Sequence, residues 1–227
     1  MAKRSKKKKK RLKIKNILLF LFILSIIGYL FFLLSKMPVK GYFISGNTYY
    51  TDQEILDMTG LDKYPSFLFT TNKSINEKIK DNKIIKNIEI KKTYLGRFNV
   101  IVNEKKILFY DLNKKVSITN EDEKIDYYNS DSPVLINEIN DKKIEKRFLK
   151  KMKLVSNNIL VNISEIKYDP NDIDKERFLV SMNDGNYIYL TLSKFSKIND
   201  YIKISRTIGD RNGILYLDYG NYFVPKQ

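Results

Sequence analysis

The chain has 227 residues, 43% of them hydrophobic, and its 42 Lys and Arg against 26 Asp and Glu give a formal charge of +16. It contains no Cys and no His, which excludes disulfides, cysteine nucleophiles, Cys/His zinc sites and Ser-His-Asp triads. Only 9 Gly and 5 Pro argue against a disordered or fibrous chain, and the length leaves room for two small domains.

The excess positive charge is concentrated at the N-terminus. Residues 1–15 hold ten Lys or Arg and no acid, which leaves 32 basic residues against 26 acidic ones in the rest of the chain. The folded part is therefore only mildly basic, which argues against a nucleic-acid-binding protein. The tail either orients an adjacent membrane span, while touching anionic lipid, or binds nucleic acid or a partner protein in the cytoplasm; we favour the first. The candidate orientation residues are Lys6, Lys7, Lys8, Lys9, Lys10 and Arg11.

An uncharged apolar segment follows the basic tail. Residues 17–34 read ILLFLFILSIIGYLFFLL, and at 1.5 Å per residue they reach about 27 Å, close to the thickness of a bilayer core. Positive flanks stay in the cytoplasm, so we expect a tail at 1–16, a transmembrane helix at 17–35 and the remainder outside the plasma (inner) membrane. A cleaved signal peptide is the alternative, but residues 35–38 lack the small residues of a cleavage site.

The first outside domain, residues 36–110, is predicted to be β-α-α-β-β. A strand at 39–44 comes first, and the capping box Thr51-Asp52-Gln53-Glu54 opens a short helix that ends at Gly60. A second box, Ser74-Ile75-Asn76-Glu77, is expected to open another helix. Apolar residues then alternate around 88–90 and 98–102, which predicts a hairpin, and a strand at 107–110 closes the domain.

The second outside domain, residues 111–227, is predicted to be a β domain with flanking helices. Strands are expected at 116–118, 125–128, 163–168, 178–182, 187–192, 214–217 and 222–224. An apolar stripe at 144–155 predicts one helix, and Phe195, Ile198 and Ile202 predict another that ends near Gly209. Asp184-Gly185 supplies the positive φ that a tight hairpin turn needs. The fold class is therefore α+β, with an N-terminal transmembrane helix.

These elements together resemble a known family. The stretch VKGYFISGNTYYTDQEILDMTGL (39–61), directly after a span, is similar to the opening of a POTRA domain, and residues 84–110 are similar to its closing hairpin. Pro133-Val134-Leu135 and the ending GILYLDYGNYFVPKQ (213–227) resemble the β domain of the bacterial division family FtsQ/DivIB. The resemblance implies a non-enzymatic scaffold of the division machinery, enriched at the septum, without cofactor, metal or small-molecule substrate.

The resemblance also implies partners. Proteins of this family bind the outside segments of FtsB/DivIC-like and FtsL-like proteins and so help to control septal peptidoglycan synthesis. A sheet edge can accept a partner strand through its main-chain groups, whereas terminal aromatic residues can equally pack on their own sheet. We take the last strands as the candidate partner edge, with these residues: Tyr216, Tyr219, Tyr222, Phe223 and Val224.

Other functions stay open. Asp169-Pro170-Asn171-Asp172 with Asp174 could bind Ca²⁺, but it lacks the Gly and the terminal Glu of a calcium loop, and a polar connection is the simpler interpretation. A membrane-anchored cell-wall enzyme would need a carboxylate pair that the sequence does not indicate. A POTRA-bearing secretion or assembly factor would normally carry several repeats, and one is seen.

Overall fold

The structure is a computed structural model that describes residues 14–209 and 211–226. The orientation residues predicted at Lys6 to Lys10 and Arg11 lie outside this range. The chain divides between Glu104 and Lys105 into two compact units, each with its own hydrophobic core. The units are described separately below.

The first unit begins with a long apolar helix. Helix α1 spans Ile14–Ser35, and none of its residues is buried. Among the described residues it is the one helix long and apolar enough to cross a membrane. Its 22 residues extend about 33 Å, which is long enough to cross the hydrocarbon core of a bilayer, about 30 Å thick.

The globular part of the first unit is a three-stranded sheet with two short helices. Its elements are β1 (Gly41–Ser45), α2 (Asp52–Thr59), α3 (Asn72–Lys78), β2 (Ile85–Lys92) and β3 (Arg97–Glu104). The strand order is β1-β3-β2, with β1 parallel and β2 antiparallel to the central β3. Alternate residues of β2 and β3 are buried against both helices, as their period-2 pattern predicted.

The caps of the two helices show one confirmed prediction and one error. Thr51 and Glu54 form the predicted reciprocal capping box, and Gly60 ends α2 in the left-handed conformation at φ 66°. The prediction of the second box is wrong by three residues. Thr71 caps α3 by accepting from the Ser74 N–H, and the Ser74 hydroxyl accepts from the Thr71 N–H. Ser74 was a plausible cap because Glu77 follows at the right spacing, but the helix has already begun at Asn72.

The second unit is built on a mixed sheet. Among the described residues its nine strands run in the order β12-β11-β10-β9-β8-β7-β4-β5-β6. They are β4 (Ile107–Asp111), β5 (Val116–Thr119), β6 (Lys124–Ile125), β7 (Val134–Leu135), β8 (Ile163–Tyr168), β9 (Arg177–Met182), β10 (Tyr187–Thr191), β11 (Gly213–Tyr216) and β12 (Tyr222–Pro225).

Helices cover one face of this sheet. They are α4 (Lys142–Met152), α5 (Asn157–Leu160), a 3-10 helix at Leu192–Asp200 and α6 (Tyr201–Ile208). Phe148 of α4 stacks on Phe178 of β9 with ring centroids 4.8 Å apart, and Phe195 meets both rings edge-on. We call this side of the sheet the helix face and the other side the open face. Side chains on β9 and β10 alternate between buried on the helix face and partly exposed on the open face.

Two details differ from the sequence prediction. The strand expected to close the first domain at 107–110 pairs instead with β5 and β7 in the second sheet. Its apolar pattern is typical of any buried strand and carries no information about which sheet it joins. The helix expected through residue 209 begins as a 3-10 segment, and α5 was not predicted because it has only four residues.

Candidate functional site

The candidate site lies at the end of the nine-stranded sheet. β12 pairs antiparallel with β11, matching Gly213 with Pro225, Ile214 with Val224 and Tyr216 with Tyr222. Among the described residues no strand pairs with the other side of β12, so it is an edge strand. This places the predicted residues Tyr222, Phe223 and Val224 on the edge itself.

The backbone of β12 offers few hydrogen-bonding groups on its free side. The Lys226 N–H donates to the Asn212 carbonyl at 2.8 Å, so residue 226 directs its main-chain groups towards β11. Because this direction alternates along an antiparallel strand, Val224 and Tyr222 also face β11, while Phe223 and Pro225 face outward. Proline has no N–H. Phe223 therefore supplies the outward donor, and Phe223 and Pro225 supply the outward carbonyls.

The open face at this edge carries a row of tyrosines. Tyr189 of β10 stacks on Tyr216 with ring centroids 5.4 Å apart, and Tyr216 stacks on Tyr222 at 4.7 Å. Tyr222 remains half exposed at the end of the row. Tyr216 is therefore an interior member of the stack rather than an edge residue, and Tyr219 lies in the exposed turn between β11 and β12.

An arginine that sequence reasoning did not single out supports this row. The Arg177 guanidinium carbon lies 3.5 Å from the centroid of the Tyr189 ring. Its Nε donates to Asp218 at 2.9 Å, and its Nη1 donates to Asp169 at 3.0 Å. Arg177 thus joins β9 to the turn before β12 through two charge-assisted hydrogen bonds and a stacked ring.

A recess lies beside β12 on each face of the sheet. On the open face, a cavity of about 390 Å³ is lined mainly by apolar atoms, including those of Leu179, Ile214 and Val224. On the helix face, a cavity of about 500 Å³ is lined by Leu217 and Phe223 together with Lys197, Asp200 and Lys203. The strand β12 therefore has an apolar recess on one side and a recess with charged residues on the other.

The sheet of the first unit also has two edge strands, β2 and β1, and they differ in how they are covered. The side chain of Asn76 in α3 pairs with Ile88 of β2 like a neighbouring strand, donating to its carbonyl at 2.7 Å and accepting from its N–H at 2.9 Å. Asn72 likewise accepts from the Ile90 N–H at 2.6 Å. This edge is covered. β1 pairs only with β3 among the described strands, and its Phe43 is 66% exposed.

The acidic loop considered for calcium uses its oxygens within the chain. Asp169 bonds to Arg177 and to Lys167, each at 3.0 Å. The Asn171 side chain accepts from the Ile173 and Asp174 N–H groups, and Asp174 accepts from the Glu176 N–H. Within residues 14–209 and 211–226 there is no group of three or more His, Cys, Asp or Glu that could hold a metal ion.

The fold and this edge define a class: a POTRA unit behind an apolar helix, followed by a β unit whose last strand is an open edge. Residues 38–105 match the family model described as "POTRA domain, FtsQ-type". The chain is similar to the cell division protein DivIB of Bacillus subtilis (strain 168), 28% identical over 96% of this chain and 85% of the relative. It is also similar to DivIB of Pediococcus pentosaceus, 26% identical over 87% of this chain and 55% of that protein.

The solved structures include a similar chain, the major extracytoplasmic domain of DivIB from Geobacillus stearothermophilus. The match is 23% identical, has a TM-score of 0.37, and covers 47% of this chain and 95% of that one. The family resemblance drawn from the sequence is confirmed by the FtsQ-type POTRA match and by the DivIB relatives, which span most of this chain. These relatives, named as cell division proteins, support a role in division.

Proposed function

We propose that this protein is a non-enzymatic, membrane-anchored scaffold of bacterial cell division. Helix α1 holds it in the plasma membrane with the tail (1–16) in the cytoplasm. The POTRA and β units then lie outside, at the division septum. The proposal is supported by the division relatives and by a helix of spanning length. The scaffold binds FtsB/DivIC-like and FtsL-like proteins and so helps to control septal peptidoglycan synthesis.

The observation that carries the binding site is the open edge of β12 between two recesses. An added strand gains main-chain hydrogen bonds from Phe223 and Pro225 and directs successive side chains to opposite faces. An apolar side chain then fits the recess beside Ile214 and Val224. The next side chain enters the recess with Lys197, Asp200 and Lys203, whose net positive charge suits an acidic group.

The experiment measures binding of the outside segment of the organism's own FtsB/DivIC-like protein to the full chain in nanodiscs, with FtsL-like protein added. Val224→Asp places a charge in the apolar recess at an exposed position and leaves the core intact. Phe43→Asp is the matched control, because it makes the same kind of change on β1, an edge strand of the first unit.

We expect Val224→Asp to weaken binding by about tenfold or more, as for a central interface residue, and Phe43→Asp to leave it unchanged. The reverse result would move the partner to the β1 edge. Equal binding by the unaltered chain and both variants would exclude strand addition at β12 and at β1. Absence of binding by the unaltered chain, even with both partners present, would contradict the scaffold function.

A further inference from the structure

The loop of residues 64–70 in the POTRA unit is fixed against the C-terminal end of α1. The Ser66 hydroxyl donates to the Ser35 carbonyl at 2.5 Å, and the Phe67 N–H donates to the Met37 carbonyl at 2.9 Å. The ring of Phe69 meets the ring of Phe31 edge-on, with centroids 6.3 Å apart. The loop therefore touches the helix itself and not only the segment that leaves it.

The depth of Phe31 decides what surrounds this contact. Phe31 lies three residues before Leu34, the last apolar residue of α1, which places it about 4.5 Å inside the apolar stretch. If α1 spans the membrane, the surroundings of Phe31 are lipid. A side chain that touches it is then at the boundary between acyl chains and headgroups.

More apolar side chains lie at the same end of the sheet. In the loop, Phe69 is 60% exposed and Leu68 is also exposed. The turn between β2 and β3 presents Tyr94, fully exposed, and Leu95. Lys92 joins this turn to the loop by donating from Nζ to the Leu68 carbonyl at 2.8 Å. We call Leu68, Phe69, Tyr94 and Leu95 the apolar rim.

The rim is close to the place where the chain leaves α1. The Lys40 N–H donates to the Gly96 carbonyl at 2.8 Å, and Gly41 at the start of β1 pairs with Arg97 at the start of β3. The turn with Tyr94 and Leu95 is therefore at the end of the sheet that the chain enters from the helix. A group of exposed apolar side chains beside a helix of this kind is typical of a surface that binds a membrane or another protein.

Cationic side chains surround the rim. Lys36, Lys40, Lys92 and Arg97 are all exposed, and the Lys36 ammonium lies 4.4 Å from the centroid of the Phe32 ring. Long basic side chains extend from apolar surroundings towards lipid phosphates, and tyrosine favours the same zone. Apolar tips within a cationic border are the pattern of a lipid-interface site.

We propose that the apolar rim is a lipid-binding surface, seated in the headgroup region of the leaflet at the C-terminal end of α1. This rests on the proposed membrane anchor. Lipid is the occupant because the rim continues directly from the membrane-spanning surface at Phe31, and a protein partner would first have to displace that lipid. The POTRA unit is then held against the bilayer at three points, α1, the loop and the β2–β3 turn, rather than tethered by α1 alone.

The sequence makes a clean test possible, because it has no Trp. Each single-Trp variant of the full chain therefore reports one position. Phe69→Trp and Leu95→Trp probe the rim, Phe43→Trp is a control of similar exposure elsewhere in the same unit, and Tyr29→Trp probes α1. Each variant is placed in phosphatidylcholine vesicles with or without bromine on the acyl chains, which quenches Trp fluorescence only at short range.

We expect brominated lipid to quench Trp fluorescence strongly in the Tyr29→Trp, Phe69→Trp and Leu95→Trp variants. In Phe43→Trp, the fluorescence should be nearly the same with and without bromine. In the two rim variants, quenching is expected to be greater for bromine near the headgroup than for bromine near the chain end. If the α1 variant is quenched and the two rim variants are not, the anchor stands and the lipid-binding rim is wrong. If the α1 variant itself is not quenched, the membrane anchor fails. Equal quenching in Phe43→Trp and Phe69→Trp would place a different face on the bilayer and overturn the proposal.

A second measurement separates lipid from a protein partner. The full chain carrying both Phe69→Asp and Leu95→Asp is compared with the unaltered chain by hydrogen exchange in nanodiscs that contain no protein besides the scaffold belt of the disc. We expect faster exchange in residues 64–70 for the double variant, because the charged side chains leave the interface. Unchanged exchange in residues 64–70 of the double variant would mean that lipid does not cover the rim.

Discussion

Gly213 and Val224 approach so closely that no side chain fits between their strands. A Cβ atom on Gly213 would overlap the Val224 carbonyl oxygen and would lie 2.9 Å from the Pro225 Cα. Both neighbours are backbone atoms, which cannot move aside without shifting the strand. The position of the edge strand β12 therefore depends on a glycine in β11.

This contact gives the first prediction. Gly213→Ala should push β12 away from β11 and destabilise the second unit by about 1–3 kcal/mol, the usual cost of overpacking. Urea unfolding and hydrogen exchange at Val224 measure the two effects. Gly41→Ala is the matched control, because a Cβ at that strand position meets only the Arg97 side chain, at 3.9 Å. A loss for Gly41→Ala as large as that for Gly213→Ala would contradict this prediction, because a Cβ at Gly41 has no close backbone neighbour.

The second prediction concerns the covered edge of the first unit. Asn76→Ala removes both partners of Ile88, leaving a part-buried N–H and carbonyl unpaired, which should cost about 2 kcal/mol. Chemical denaturation of the full chain gives the difference. Glu77→Ala, the next residue, removes only an exposed ion pair with Lys80 and should change stability by less than about 0.5 kcal/mol. Similar values for both variants would contradict a structural role for the Asn76 pairing.

The third prediction is a pH dependence. Tyr42 donates a hydrogen bond to the Leu61 carbonyl at 2.5 Å, and burial, with smaller effects of Tyr64 and Asp62, raises its pKa from 10.0 to about 12. Since the folded state holds this proton more tightly, the stabilisation is complete below pH 10 and is lost as the pH rises towards about 12.

Tyr42→Phe should therefore flatten the alkaline fall in stability of the first unit between these two values. Circular dichroism and tyrosinate absorbance, recorded together through the titration, measure unfolding and ionisation in one sample. An unaltered pH profile in Tyr42→Phe would show that another group controls alkaline unfolding, and the exposed Tyr94→Phe serves as the control.

The fourth prediction concerns the support of the tyrosine row. Lysine cannot bond to Asp169 and Asp218 with the geometry of a guanidinium, nor stack on Tyr189 in the same way. Arg177→Lys should therefore cost about 2 kcal/mol, as for charged hydrogen bonds, and speed hydrogen exchange in residues 217–221. Arg147→Lys, whose partner is Glu176 at a more exposed site, should have a much smaller effect. Equal effects of the two changes would indicate that the hydrogen bonds and ring contact of Arg177 do not stabilise the turn before β12.

Local patterns predicted those features that depend on residues close together in the chain. The capping box from Thr51 to Glu54 spans four residues and is formed as expected. The same logic failed at Ser74, because Thr71 offers an equivalent cap one turn earlier and Ser74 completes it. The strand at Ile163–Tyr168 matches its predicted bounds, since polar residues flank it on both sides. Its two buried residues, Ile163 and Ile166, are three apart because the pairing with β9 shifts register between Ile163 and Glu165.

Strand partners were less predictable. The strand β4 was expected in the first domain because it follows the hairpin directly, yet it pairs with β5 and β7. Apolar alternation shows that a strand has a buried face but does not indicate which strand lies beside it. The Arg177–Asp218 bond joins residues 41 positions apart, and no short motif marks either residue.

The sequence by itself determined the apolar helix, the two-unit organisation, the absence of Cys and His chemistry and the resemblance to FtsQ/DivIB proteins. Each of these depends on composition or on patterns within a few residues. Only the tertiary structure decided that β12 is an edge with a recess on each face, that Asn76 covers the edge of β2, and that Phe69 lies against Phe31. These relationships arise where distant segments pack together, and the free energy that selects them is shared among contacts that no local pattern encodes.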